Sequence, residues 1–552
     1  MRYLIPVMLL LCACVNNSLP GEAQATNADQ QPNILLILAD DLGFSDIGAY
    51  GGEIATPNLD QLANQGVQLL NFHTAPTCGP TRGMLMTGID SHRVGTGANA
   101  AALQRLTMLQ GRPGYEGYLN QDVATLPERL AVLGYQNFMV GKWDLGGEPQ
   151  ARPAQRGFDR SFALIESGGS YFADMRGNFP FEPRIRYFED DMPVESLPDD
   201  FYATSFYTDK LIQFLGETDS RRPWLAYAAY TAPHWPLQVP QDYELPQGYE
   251  AGWQAIAKER LQRIEALGLY SGLPVGESLT SADWDSLDEV QQAEETKRMA
   301  LYAAMVEILD SETGRLIAAA RHKSADRPLV ILFLSDNGPE GNNIAGIGTT
   351  GQWIQAEFDL SYESMGAPGS YAWTGQQWSE VSAQPFSLFK SFVSEGGIRT
   401  PAIISAPGLS GRSNQLTSVM DLLPTLVEMA GGDAQRQSTF DHLLPVQGVS
   451  MLPALKSPES VFDRPALGFE LYGNRAIIDG HYKARLIWPP AGSGQWQLYD
   501  LSADPSESTD LARIYPQVLE GLIAQWHEYA ESNGVYLFDH DNGYGRYEEY
   551  AP

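Results

Sequence analysis

Cysteine is almost missing from this chain: 552 residues carry three, and two of them, Cys12 and Cys14, fall within the first fourteen positions. Cys78 is left as the single internal thiol, so the body of the protein has no intrachain disulfide available to it, and a crosslink is not what retains that residue. Positive charge is scarce as well. Lys and Arg number 36 against 68 Asp and Glu, a formal charge of −32. That balance excludes nucleic acid and anionic membrane surfaces as partners, and it makes an anionic substrate depend on a local group of cations. After the amino terminus no apolar run is long enough to span a bilayer. His and Cys nowhere cluster, which speaks against zinc, and there is no internal repeat or low-complexity tract.

What is present begins with MRYLIPVMLLLCACVNN, one Arg followed by an apolar run and small residues. It is too short for a membrane span and predicts an export signal over residues 1–25, as a signal peptide or a lipoprotein signal with a short tether. Leu11-Cys12-Ala13-Cys14 matches a bacterial lipobox with Cys14 as the lipidated residue, while Ala23-Gln24-Ala25 offers an ordinary cleavage site. Either way the protein is expected in the periplasm or anchored to a bacterial outer membrane, touching membrane only through a lipid at Cys14. The length suits one large catalytic domain, 31–438, with a smaller α+β subdomain, 439–552.

Gln31 to Ala39, Pro223 to Tyr230 and Pro328 to Leu334 are continuous apolar runs without alternation, the pattern of strands buried on both faces of a parallel sheet. Helical stretches lie between them, at Asn58–Asn64, Leu126–Val132, Phe206–Leu215 and Glu294–Ala320. The expectation is an α/β fold: a large, mostly parallel sheet flanked by helices, with ligands off the carboxyl ends of its strands. Gly341–Gln384, rich in glycine, serine and aromatics, reads as a long ordered functional loop. Ala476–Ile487, Trp496–Leu501 and a helix over Pro516–Asn533 predict a small C-terminal antiparallel sheet with a helix.

Two of the long apolar runs end in acids, Asp40-Asp41 and Asp336-Asn337. Acids here can simply cap turns or helices. Two such pairs at the ends of similar strands instead offer four oxygen donors, suited to a hard divalent ion such as calcium or magnesium. Pro80 fits the first turn of a helix through Thr81 to Thr87, which puts Cys78 at its positive end and Arg82 about one turn on. The plain alternative for Cys78 is a small buried side chain beside a helix start.

Cys78-Gly79-Pro80-Thr81-Arg82-Gly83, with Thr87-Gly88 beyond it, resembles the Cys-x-Pro-x-Arg signature of the type I sulfatases, members of the alkaline phosphatase superfamily. Ordered blocks from Pro32 to Ala512 extend the resemblance: NILLILADDLGFSDIGAYGG, GKWDLG, TAPHWPLQ, LSDNG and FKSFVSEGGIRTP. SYESMGAPGSYAWTGQQW and TAPHWPLQ are similar to bacterial arylsulfatases in particular. The resemblance implies that a maturation enzyme oxidises Cys78 to formylglycine (3-oxoalanine). The hydrated aldehyde then attacks sulfur, expels the alcohol, and collapses to release sulfate. It also implies one Ca2+ per chain, held by Asp40, Asp41, Cys78, Asp336 and Asn337. Arg82 is implied to hold position 78 and charge on the metal side, Lys142 and Lys390 to bind sulfate and leaving-group oxygens, and His234 to act as general acid. A lysine is otherwise most often a solvated charge, and His234 a packed loop residue. One position departs from the pattern: the block Gly-Lys-Trp-His-Leu-Gly reads Gly141-Lys142-Trp143-Asp144-Leu145-Gly146 here, so Asp144 stands where a histidine is expected. The leading expectation is an exported arylsulfatase-type enzyme. A sulfatase acting on sulfated sugars, a phosphoester or phosphonate hydrolase on the same scaffold, and a binding protein that has lost maturation are the alternatives.

Overall fold

The computed structural model describes residues 31–273, 283–346, 348–457 and 462–540; the export signal expected over residues 1–25, with Cys14, lies outside the described residues. Asn33–Ala39 forms the central strand, and all seven of its residues are buried. Its lack of alternation has a direct cause. Leu35, Ile37 and Ala39 pack into one apolar layer, and Ile34, Leu36 and Leu38 into the layer on the opposite face. A strand covered on both sides buries every side chain.

Ten strands build the large sheet, numbered here in chain order: β1 (Asn33–Ala39), β2 (Val67–Leu69), β3 (Gln136–Lys142), β4 (Arg160–Leu164), β5 (Tyr187–Glu189), β6 (Met192–Val194), β7 (Trp224–Ala229), β8 (Leu329–Ser335), β9 (Ala402–Ser405) and β10 (Gly411–Ser413). Their spatial order is β10-β2-β9-β8-β1-β7-β3-β4-β5-β6. The five central strands, β8-β1-β7-β3-β4, are parallel, and β9 and β5 run against them. Leu36 of β1 sits opposite Tyr227 of β7 and Leu332 of β8. The expected mostly parallel sheet is therefore present, and its middle brings the carboxyl ends of β8, β1, β7 and β3 side by side.

Helix α1 (Cys78–Thr87) covers the Thr81–Thr87 stretch expected from the sequence with Pro80 in its first turn, and all ten of its residues are buried. It lies in the layer of Leu36 with Met84 and Leu85. On the other face, α2 (Ala203–Gly216) and the long α3 (Glu289–Lys323) pack side by side. A capping box formed by Asp288 and Gln291 starts α3, which is longer than the Glu294–Ala320 stretch expected.

The C-terminal sheet has four antiparallel strands, β11 (Leu467–Leu471), β12 (Asn474–Asp479), β13 (Tyr482–Leu486) and β14 (Gln497–Asp500). The single segment read over Ala476–Ile487 is a hairpin that turns at Gly480, where φ is +60°. Helix α4 (Pro516–Asn533) covers one face with Leu522 and Trp526 packed over Ile477, Ala484 and Leu498. This sheet is tied to the large one through buried charge. Lys483 on β13 reaches Glu395 at 2.7 Å and Glu507 at 3.0 Å, Arg485 reaches Glu507 at 3.1 Å, and Glu395 also meets His73 at 3.0 Å and Arg399 at 3.2 Å.

The Gly341–Gln384 stretch is not a loop throughout: it contains helices over Gly348–Glu357 and Gln376–Ser382. Small residues gave them a weak apolar period, and their order comes instead from aromatic packing: Ile354 of the first lies with Phe358 and Tyr371 against Trp235, and Trp378 of the second packs on Tyr249, Trp253 and Trp284. Among the described residues no helix is long and apolar enough to cross a membrane.

Candidate active site

Four adjacent strand ends and the start of one helix supply the site. β1 leads into Asp40-Asp41, β8 into Asp336-Asn337, β3 into Lys142 and Asp144, and β7 into the turn that carries His234. Asp41 and Asp144 turn the chain with φ of +66° and +53°, a left-handed conformation that an aspartate tolerates better than most residues. Cys78 and Arg82 come from α1. Lys390 is set in place from both sides, its own N–H donating to the Pro339 carbonyl at 3.0 Å and that of Ser391 to the Pro76 carbonyl at 2.7 Å.

The side chains converge. Lys142 Nζ donates to Asp40 Oδ2 at 2.7 Å, and Lys390 Nζ to Asp41 Oδ2 at 2.9 Å. Arg82 grips Asp336 Oδ2 with two N–H groups, at 3.0 and 2.8 Å, and gives a third to the Lys142 carbonyl at 2.8 Å. Cys78 Sγ lies 3.3 Å from Asp40 Oδ1 and 3.8 Å from Asp41 Oδ1. His234 Nε2 is 3.6 Å from Asp41 Oδ2, and its Nδ1 is 2.5 Å from the Trp235 carbonyl, which fixes Nδ1 as the protonated nitrogen and leaves Nε2 facing the acids. All of these side chains are buried.

Ligand oxygens of Asp40, Asp41 and Asp336 and the sulfur of Cys78 fall within 4.8 Å of one another. Asn337 gives its Nδ2 to Asp41 Oδ1 at 2.7 Å, and its Oδ1 is buried without a partner. Three carboxylates and one orphaned amide oxygen are an oxygen-rich donor set, which fits a hard divalent cation and not zinc.

Burial sets the protonation pattern. It pushes the Cys78 thiol well up, and Asp336 adds to the effect, so the residue as encoded is a protonated, weakly nucleophilic thiol. Burial also pushes Asp40 up, but Lys142 leads a set of charges that holds it below its ordinary value. Burial pulls Lys390 down, but Asp41, Glu340 and Asp40 together outweigh it and keep the ammonium firmly charged. Burial lowers His234 to about 4, against the pull of Asp41 and Asp40. Asp144 is pushed up to about 6 by burial, opposed by Lys142 and Arg82, and its Oδ2 has no hydrogen-bond partner.

Nine of the ten residues expected from the sequence are thus linked directly to one another; Asp144 alone lies beside the cluster without a bond to it. Two further residues join them. Glu340 Oε2 is 3.4 Å from Lys390 Nζ. Its position just beyond Ser335-Asp336-Asn337-Gly338 was the available signal. Asn99 accepts the Gly79 N–H at 3.0 Å and donates to Thr77 Oγ1 at 2.7 Å, steadying the start of α1. Nothing in its local sequence marks that role.

Against known proteins, the family model described as Sulfatase matches residues 32–432. An uncharacterised sulfatase of Schizosaccharomyces pombe is 38% identical over 525 residues, 92% of this chain and 94% of its own. An arylsulfatase of Klebsiella aerogenes is 35% identical over 451 residues, 80% of this chain and 95% of its own. Among solved structures, Ps i-CgsB in complex with k-i-k-neocarrahexaose superposes with a TM-score of 0.64 at 23% identity, covering 94% of this chain and 97% of that one.

Proposed function

Since this chain belongs to the sulfatase family and is a sulfuric ester hydrolase, we propose that it cleaves sulfate monoesters of the arylsulfatase type, using a formylglycine made from Cys78 and one calcium ion. The observation that carries this reading is the placement of Cys78: a buried thiol, useless as a nucleophile in its encoded form, set at the head of a helix between the carboxylates of Asp40 and Asp41. Conversion to formylglycine would supply a hydroxyl nucleophile there that can later be discharged. Asp40, Asp41, Asp336 and Asn337 would hold the calcium ion, which would supply positive charge opposite the sulfate oxygens.

The chain's own residues do the remainder. Lys142 and Lys390, each tied to one aspartate, point two fixed ammonium groups at the space where sulfate enters. They offset the repulsion an anion meets from a protein of charge −32. Arg82 is a positioning residue: its fork holds Asp336 and the end of β3 in register. His234, with Nδ1 committed to Trp235, presents Nε2 to the departing alcohol oxygen. It is neutral in the empty site, and the negative charge of an arriving ester favours its protonation. Asp144, pushed up to about 6 by burial, holds its proton only below neutrality beside position 78, where the resemblance implies a histidine.

A sulfated sugar is the second reading for the alcohol. It is supported by the sugar-bound Ps i-CgsB, whose fold this chain shares. Export through the 1–25 leader, with or without a lipid on Cys14, belongs to the same proposal and is checked by cell fractionation. The test of the chemistry is phenol release from an aryl sulfate and from the matching aryl phosphate. It uses protein co-produced with a formylglycine-generating enzyme, beside Cys78→Ala. Turnover of the sulfate that needs calcium and is lost in the variant is the expected result. Preferential turnover of the phosphate would replace this reading with a phosphoesterase.

A further inference from the structure

A cleft of about 520 Å³ opens beside the site, between the segments around Glu116, Asp144, Glu166 and Glu182. It adjoins the reacting groups at two points. Asp144, only 8% exposed, forms part of its wall, with its Oδ2 3.7 Å from where a Cβ on Gly79, the residue after Cys78, would stand. Ser167, also in the wall, precedes Gly168, where a Cβ would stand 3.2 Å from Cε1 of His234. The cleft therefore adjoins the face of the site that carries His234.

Its charge is one-sided. Glu116, Asp144, Glu148, Glu166 and Glu182 line it against a single cation, Arg186, and Arg186 is already committed to Glu166, with Nε 2.5 Å from Oε1. Two of these acids have an oxygen with no hydrogen-bond partner: the buried Oδ2 of Asp144 and the buried Oε2 of Glu116. Burial, with the charges of Glu166 and Asp144 adding to it, pushes Glu182 up to about 7, so the acids feel one another across a shared space. Among the described residues, the acidic group close enough to hold a metal ion is Asp40, Asp41, Cys78 and Asp336, which includes none of the cleft acids. Carboxylates spread round a cleft of this size suit a larger cation.

Resting on the sulfatase reading above, we infer that this cleft receives the alcohol half of the ester and selects alcohols that carry a positively charged amine. Such a substrate brings its own countercharge: the sulfate goes to Lys142 and Lys390, and the ammonium group to the unmatched acids. An ester with a carboxylate on the alcohol meets repulsion at both ends.

The experiment uses three aryl sulfates of equal size and similar leaving group, in which a methylene separates the ring from an ammonium, a hydroxyl or a carboxylate. With matured enzyme, kcat/KM is expected to fall in that order, by about tenfold between the ends at low salt, carried by KM and shrinking as salt is added. Glu182→Gln and Glu116→Gln should each narrow the ratio of ammonium to carboxylate ester. Equal kcat/KM for the three, or a preference for the hydroxyl or carboxylate ester, overturns the inference and leaves the sulfatase reading standing. No turnover of any of them by protein whose Cys78 is converted overturns both.

Discussion

Two clusters of buried charge sit in this protein, and they are built to different rules. In the one that joins the small sheet to the large, Glu395 and Glu507 face Lys483, Arg485 and Arg399, and each of the four carboxylate oxygens meets a cation or His73 within 3.2 Å. At the strand ends, Asp40, Asp41, Asp336, Glu340 and Asp144 face Arg82, Lys142 and Lys390, while Asn337 Oδ1 and Asp144 Oδ2 have no partner. A cluster whose cations outnumber its carboxylates holds structure, even where Glu507 Oε1 is held by an ion contact and no hydrogen bond. One in which acids are in surplus is arranged for something that arrives from outside.

Separating stability from turnover is the way to break this contrast. Lys390→Ala removes a cation aimed at sulfate and should lower kcat/KM by about a thousandfold, read with an aryl sulfate, while the melting temperature moves little because burial already favours the protonated form of Glu340. The reverse is expected at the joint. Lys483→Ala strands Glu395 and Glu507 and should cost about 3 kcal/mol in denaturant unfolding, with the kcat of the folded fraction held within a few fold. If these two outcomes exchange places, the division between the clusters is wrong.

His234→Ala sharpens the picture inside the site. A phenolate leaves without much help and an alkoxide does not, so the variant should lose about a hundredfold more activity on an alkyl sulfate than on an activated aryl sulfate. An equal loss on both would make His234 a binding residue and not an acid. The smallest effect concerns Asp144. Its carboxyl is raised from 3.8 to about 6 in the fold, so its contribution to stability is fully present below pH 3.8 and is lost as the pH rises through about 6. In metal-free protein at neutral pH, Asp144→Asn should therefore unfold later, by about 2 kcal/mol. A destabilised variant would mean that the carboxylate has a partner that its free Oδ2 does not suggest.

The sheet and the acids at its strand ends were legible because their signals are local: an unbroken apolar run followed by a pair of acids tells both how a strand is buried and where it stops. Cys78 and Arg82 were legible for the same reason, one helical turn apart. The joint was not. Lys483 and Glu395 come together from a strand of the small sheet and the short helix Glu395–Ile398, distant segments with no pattern in either. The acids of the cleft are equally silent, since Glu116, Glu166 and Glu182 sit on separate segments and each resembles a solvated surface charge. The helices inside Gly341–Gln384 escaped because glycine and serine dilute their apolar period, and aromatic packing on Trp235 holds the first and on Trp253 and Trp284 the second.

Calcium titration of metal-free protein, followed by calorimetry, tests the central claim most directly, because it reads the surplus acids without relying on turnover. The account predicts one ion bound per chain, lost in Asp41→Asn and in Asp336→Asn and retained in Lys483→Ala. A chain that takes up no calcium, or that binds it equally well without Asp41 and Asp336, would contradict it.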